Sequence, residues 1–378
     1  MQLDLIKGST LENLIEIGYA SLKDTDDEED SYLPDIKSEC KEIVEILLCD
    51  VDISPLLKQI NSLGGTDATV LAVLQQTGKA MQTLLTTSPT LDTRKFAVKC
   101  FHGAPRLFQY WLRTVSLPDI KPNYACLATF SLISFMLKNG PDLPASDLLK
   151  IQSSDKKKAF DIIVSFTAPR ALTKNVLTKG IQSSNPLLVV ETLKSLTIVL
   201  SRFGTIIEKN PSGEKRKYAA EKLLTKMPDL QVLLAVRSKF DPYTHDTSTQ
   251  LARHHNFVVM NICEVLCLFA NTLPMSFRTV QFEWIKLLSD SSVTFLSAPL
   301  SLQYRLLTTL LTINDCYNVS RRYEVIFHSF ICTVMAFNML SFLFHSELPR
   351  SPTLCRAPRL IMRSLRSYLI PRTTQSTN

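Results

Sequence analysis

Apolar residues recur at helical spacing along most of the chain, most clearly between Thr167 and Gly204. Past the turn Ser183-Ser184-Asn185-Pro186, the residues Val189, Leu193, Leu196, Leu200 and Phe203 follow at intervals of four, three, four and three. That spacing draws one apolar stripe along a helix. It turns Leu193 and Leu196 inward and Glu191 and Lys194 outward. Asn185 is the expected cap, Pro186 sits in the first turn, and Gly204 is placed to end the helix. Upstream, Thr167 and Pro169 predict the start of a partner helix, with Leu172, Val176 and Leu177 on one side and Arg170 and Lys174 on another. Neither helix can bury its stripe alone, so the hairpin calls for neighbours of the same kind, which is the logic of a helical repeat.

The same grammar returns along the chain. Ser9-Thr10-Leu11-Glu12 has capping-box spacing and opens a helix through Leu14 and Ile15. Helical patterns follow at Asp35–Cys49 and Asp67–Thr86, separated by a Gly64-Gly65 turn that lacks the Lys-Ser/Thr of a phosphate loop. Ser88-Pro89 precedes Thr90–Phe101, Pro122 precedes Asn123–Leu137, and Pro299 precedes Leu300–Ile313. His255–Leu273 fills a similar place without a proline. Starts at 89, 122, 186, 255 and 299 are spaced for one helical hairpin or a pair of them. Two-helix repeats of about 40–47 residues are of the HEAT and armadillo type. The expected fold is all-α, a HEAT/armadillo-like solenoid over residues 1–319.

Composition agrees, since an apolar fraction of 45% suits an extended core and only 10 glycines interrupt it. Nine scattered cysteines without a secretory leader at Met1-Gln2-Leu3-Asp4 read as reduced thiols of the cytosol or nucleus. Residues 24–30, DTDDEED, form an acidic loop that is a solvated run, a contact for a basic partner or a kinase-modified acidic linker. Two basic runs, Lys156-Lys157-Lys158 and Lys215-Arg216-Lys217, read as inter-helix segments, the second in a breaker-rich loop. Basic loops can meet RNA phosphates.

From Ser320 the chain carries eight arginines and no lysine, and it includes Val325–Phe344, 20 residues without a charge. That length can span a bilayer. The abrupt change marks 320–378 as a tail outside the array, such as an intron read past a splice site or an alternative last exon.

Chemical motifs are few. His254-His255 with Cys263 and Cys267 is the one metal-like grouping, but both cysteines sit among Val259, Ile262, Leu266 and Phe269, where free cysteine behaves as a core residue. No nucleophile elbow, Walker or dinucleotide pattern occurs. The expectation is a non-enzymatic protein without cofactor, metal or catalytic residue. Arg170, Lys174, Lys215, Arg216 and Lys217 are the candidate RNA-contacting residues.

Thr86–Phe101 (TTSPTLDTRKFAVKCF) and Phe166–Phe203 resemble the nucleolar pre-ribosomal-associated protein family, the large Npa/Urb-type scaffolds. The resemblance extends over most of Thr86 to about Asp315 and stops before the tail. It implies a nucleolar α-solenoid that holds early large-subunit precursors together, with pre-ribosomal proteins, an RNA helicase and other assembly factors, and pre-rRNA as partners. Family members are far longer, so the resemblance also implies that this chain is a piece of such a scaffold. Two other readings share the helical array: a membrane-anchored cytosolic adaptor that uses 325–344, and a HEAT-type transport adaptor.

Overall fold

Local sequence chemistry sets the starts of several central helices. In the computed structural model, residues 8–19, 33–50, 52, 54–62, 68–209, 213–240, 250–277 and 299–317 are described. They form α1 (Gly8–Tyr19), α2 (Leu33–Cys49), α3 (Pro55–Ser62), α4 (Ala68–Thr87), α5 (Leu91–Gly103), α6 (Pro105–Thr114), α7 (Tyr124–Asn139) and α8 (Ala145–Ser153). There follow α9 (Lys156–Thr167), α10 (Lys174–Ile181), α11 (Pro186–Glu208), α12 (Gly213–Leu224), α13 (Leu230–Lys239), α14 (Gln250–Thr272), a 3-10 turn (Pro274–Phe277) and α15 (Leu300–Tyr317). The described residues are thus all-α, and no strand occurs among them. The chain divides into two units, Met1–Tyr317 and Asn318–Asn378. The acidic loop, the Gly64-Gly65 turn and the 320–378 tail with its 325–344 segment lie outside the described residues.

The caps refine the expected boundaries. Asn185 accepts from the backbone N–H groups of Leu187 and Leu188, with Pro186 first in the helix, as its sequence predicts. The preceding helix, however, starts at Lys174 rather than near Pro169. Thr173, not Thr167, is its cap and accepts from the Val176 N–H. Thr167 instead closes α9, fully buried. Pro169–Thr173 folds into tight turns, with the Leu172 N–H donating to the Pro169 carbonyl. Thr90 and Asn123 cap α5 and α7, so Pro89 and Pro122 stand just outside their helices rather than in the first turn. Ser9 lies inside α1, which begins one residue earlier. Both basic runs are helical: Lys156–Lys158 open α9 behind the Asp155 cap, and Lys215–Lys217 lie in the first turns of α12.

Gly204 does not end α11, which continues to Glu208. A Cβ at Gly204 would lie 2.9 Å from the Thr272 methyl, so the glycine sets how closely α14 approaches. The stripe itself is as the spacing requires, with Val189, Leu193, Leu196, Leu200 and Phe203 all fully buried. Leu188, Val190, Thr192, Ser195 and Val199 are buried too, because α11 is covered by α7, α9, α10 and α14. Glu191 and Lys194 remain partly exposed and pair at 2.8 Å.

Contacts between helices reveal two rows. In the first, α2 packs on α5, α5 on α7, α7 on α11, α11 on α14 and α14 on α15. Ser134 meets Ser195 at 2.8 Å and Arg202 reaches the Leu137 carbonyl at 2.8 Å, so the contacts advance together along α7 and α11. The same holds for Glu264–Arg305 (3.2 Å) and Cys267–Thr309 (3.4 Å) along α14 and α15. These pairs run parallel. In the second row α1 packs on α4, α4 on α6, α6 on α9 and α9 on α12. An aromatic cluster of Phe101, Phe108 and Trp111, with centroids 5.3–6.4 Å apart, fills the space around α5 and α6.

Arg202 ties the rows together. Its guanidinium donates to the carbonyls of Phe166 (3.2 Å), Leu137 (2.8 Å), Gly140 (3.3 Å) and Pro141 (2.6 Å), and lies 5.4 Å over the Phe108 ring. Burial lowers its pKa, and the Asp142 carboxylate works the other way. Arg202→Ala should cost about 3 kcal/mol, since charged hydrogen bonds are lost and buried carbonyls are left unpaired. Arg202→Lys should recover only part, because an ammonium cannot span four acceptors as the planar fork does. Leu196→Ala should cost about 2–5 kcal/mol, and Lys194→Ala less than about 1 kcal/mol as an exposed pair. Urea unfolding midpoints of the four variants test this ranking.

Candidate nucleic-acid interface

Cations are brought together where α9 and α12 start. Asp155 accepts from the Lys158 N–H at 2.8 Å and so fixes the first turn of α9. That hydrogen bond holds the Asp155 carboxyl below its ordinary range. The apolar side of α9, Ala159, Phe160 and Ile163, packs toward the side of α12 that carries Ala219 and Leu223. Phe160 meets the Tyr218 ring edge-on at 6.3 Å. Lys156 Nζ lies 2.8 Å from Glu214 Oε2, so the two helices run parallel with their starts side by side. The basic runs, far apart in sequence, become one surface.

The two helices and the Asp155 cap carry seven cations against four carboxylates, Asp155, Asp161, Glu214 and Glu221. Six of the cations stand in or beside the first turns, where helix N-termini already present positive charge. Lys157, Lys158, Arg216 and Lys217 are exposed. Lys215 turns the other way and donates to the Ile151 and Gln152 carbonyls at 2.8 and 2.6 Å, which satisfies the end of α8. Of the expected contact residues it is thus the structural one. Lys222 and Lys226 lie over the Tyr218 and Phe160 rings. Beside the surface is a cleft of about 230 Å³ between α12 and the end of α14, bounded by Arg216, Lys217, Leu224, Leu273 and Met275.

Arg170 and Lys174 lie elsewhere. Both follow the C-terminal end of α9, whose 12 residues separate it from the basic surface by roughly 18 Å. Arg170 is exposed while its backbone N–H donates to the Leu112 carbonyl. Lys174 pairs with Asp229 at 2.7 Å. Lys156–Lys158 are the residues the sequence left out of the candidate set, and their partnership with α12 has no local signature.

The grouping of His254, His255, Cys263 and Cys267 is dispersed. His255 meets the Phe240 ring edge-on, Cys267 donates to Thr309, and Cys263 is fully buried, which pushes its thiol up to about 12. Among the described residues no three of His, Cys, Asp and Glu are grouped to hold a metal, and no helix is long and apolar enough to cross a membrane. None of the protein-family models, curated proteins or solved structures compared with the chain matches it.

The hydrogen bond and charge of Lys156 lower the Glu214 carboxyl below its usual value. This pairing supports the folded state above the ordinary glutamate pKa and is lost as pH falls through the lowered one. Lys215→Met should cost about 1 kcal/mol because α8 loses its terminal donors, whereas Lys217→Met should stay within about 0.5 kcal/mol. Thermal melts at neutral pH distinguish the two.

Proposed function

We propose that this chain is a non-enzymatic α-solenoid scaffold in nucleolar assembly of the large ribosomal subunit and pre-rRNA maturation. The observation that carries this reading is the joint basic surface at the starts of α9 and α12, set in parallel rows of helices. Rows in which each helix packs on near neighbours suit a HEAT/armadillo-like array, whose length offers surface to several proteins at once. The cations, reinforced by the ends of two helices, suit the phosphates of pre-rRNA. The resemblance of Thr86–Phe101 and Phe166–Phe203 to the Npa/Urb-type scaffolds supports the nucleolar setting and pre-ribosomal partners.

Replacing Lys157, Lys158, Arg216 and Lys217 by alanine should weaken binding of pre-rRNA fragments. The slope of log K against log salt should flatten by about 3, at roughly 0.7–0.9 per phosphate contact. Alanine at Arg170 and Lys174 should leave that slope unchanged, since both lie at the other end of α9. Filter binding across a salt series measures both, and intact protein without salt-sensitive binding would remove RNA from the proposal. Nucleolar position and co-sedimentation of the endogenous tagged protein with large-subunit precursors test the assembly role separately.

A further inference from the structure

Nearer the start of the chain, Cys49 Sγ and Cys100 Sγ lie 3.4 Å apart, although 51 residues separate them in sequence. The contact joins the last residue of α2 to the buried side of α5. It follows from close backbone packing. A Cβ on Gly103 would lie 3.1 Å from the Leu48 carbonyl oxygen and 3.3 Å from that of Cys49, so glycine lets the ends of the two helices draw together.

The two sulfurs differ in access. Cys100 is fully buried, whereas Cys49 is half-buried and lines an open cleft with Lys41, Glu45, Asp50 and Lys99. Burial, first of all, and the Cys49 contact raise the Cys100 pKa well above the ordinary thiol value. Cys100 therefore keeps its proton, and either sulfur can donate in the 3.4 Å contact. The arrangement pairs a cysteine that lines an open cleft with a second sulfur held in contact behind it, as in sensor pairs with a resolving cysteine.

We propose that Cys49 and Cys100 form a reversible peroxide-sensitive dithiol, with Cys49 the attacked sulfur and Cys100 the resolving one. In the first step the Cys49 sulfur attacks hydrogen peroxide. The O–O bond breaks, Cys49 becomes the sulfenic acid, and one water leaves. In the second, the Cys100 sulfur attacks the Cys49 sulfur. The S–O bond breaks, the Cys100 proton joins the departing hydroxide as a second water, and an S–S bond forms. Two electrons pass from the thiol pair to the peroxide. The bond would tie the end of α2 to α5 and close a loop containing α3 and α4, which restricts the unfolded chain. In a reducing compartment such a bond is a switch rather than a permanent staple.

The test uses the whole chain, reduced and then exposed to graded hydrogen peroxide, blocked with N-ethylmaleimide and mapped by mass spectrometry without reduction. A Cys49–Cys100 peptide pair lighter by two hydrogens, reversed by dithiothreitol, is the expected product. It should form at lower peroxide than any pair involving Cys40, Cys126 or Cys263, which are buried. In Cys100→Ala, dimedone should trap Cys49 as its sulfenic acid, and in Cys49→Ser, Cys100 should remain a free thiol. Gly103→Ala should slow disulfide formation while leaving Cys49 oxidation intact. The proposal is overturned if wild-type Cys49 proceeds to sulfinic acid beside a free Cys100. Equally fast pairing of Cys100 with another cysteine, or resistance of Cys49 at peroxide levels that oxidise Cys267, also overturns it.

Discussion

Arg202 satisfies carbonyls that the helices cannot satisfy themselves. The last turn of every helix leaves its C=O groups without intrahelical partners, and buried ones are costly. Where α7 ends, at Leu137, Gly140 and Pro141, and where α9 ends, at Phe166, the residues are buried and one guanidinium serves their carbonyls. Only a planar fork can serve so many acceptors, and its apolar face rests on Phe108. Gly140 belongs to the same arrangement, because a Cβ there would lie 2.8 Å from the Phe108 ring. The two rows are thus joined by a charge in a largely apolar setting, oriented by carbonyl dipoles and tempered by Asp142.

The parallel packing of α7, α11, α14 and α15 has a different basis. Small or hydroxyl-bearing residues lie at the contacts: Ser134 against Ser195, Gly204 against Thr272, and Cys267 against Thr309. They permit close approach, and several satisfy one another's hydroxyls or a backbone carbonyl. Leucine, valine and phenylalanine on either side supply the burial, and the small polar pairs set which residues face each other.

The basic surface arises from the same geometry. Phe160 against Tyr218 aligns α9 with α12, and Lys156–Glu214 brings their first turns level. Cations at helix starts oppose the helix dipole, so the arrangement gains nothing for either helix alone. Lys215 escapes this by capping α8, while Arg216 and Lys217 stay at the surface. An anionic partner would relieve the repulsion that remains.

Local chemistry in the sequence was enough for the helical class, the Asn185-Pro186 start of α11 and its buried stripe from Val189 to Phe203, because those features depend on residues within a turn or two. It erred where a local signal was outweighed by packing. Thr167 has a capping side chain but is buried at the end of α9, and Gly204 has the form of a stop but serves as a contact point for α14. The candidate RNA surface was half legible. Charge runs announced Lys156–Lys158 and Lys215–Lys217, but their union, and the separate placement of Arg170 and Lys174, came only with the fold. The Arg202 acceptors up to 65 residues away and the Lys215 acceptors 63 and 64 residues away had no trace in the local pattern. Helical periodicity records which side of a helix is apolar. Which distant carbonyl, ring or carboxylate meets a given cation depends on how whole helices align, and tertiary packing alone decides that.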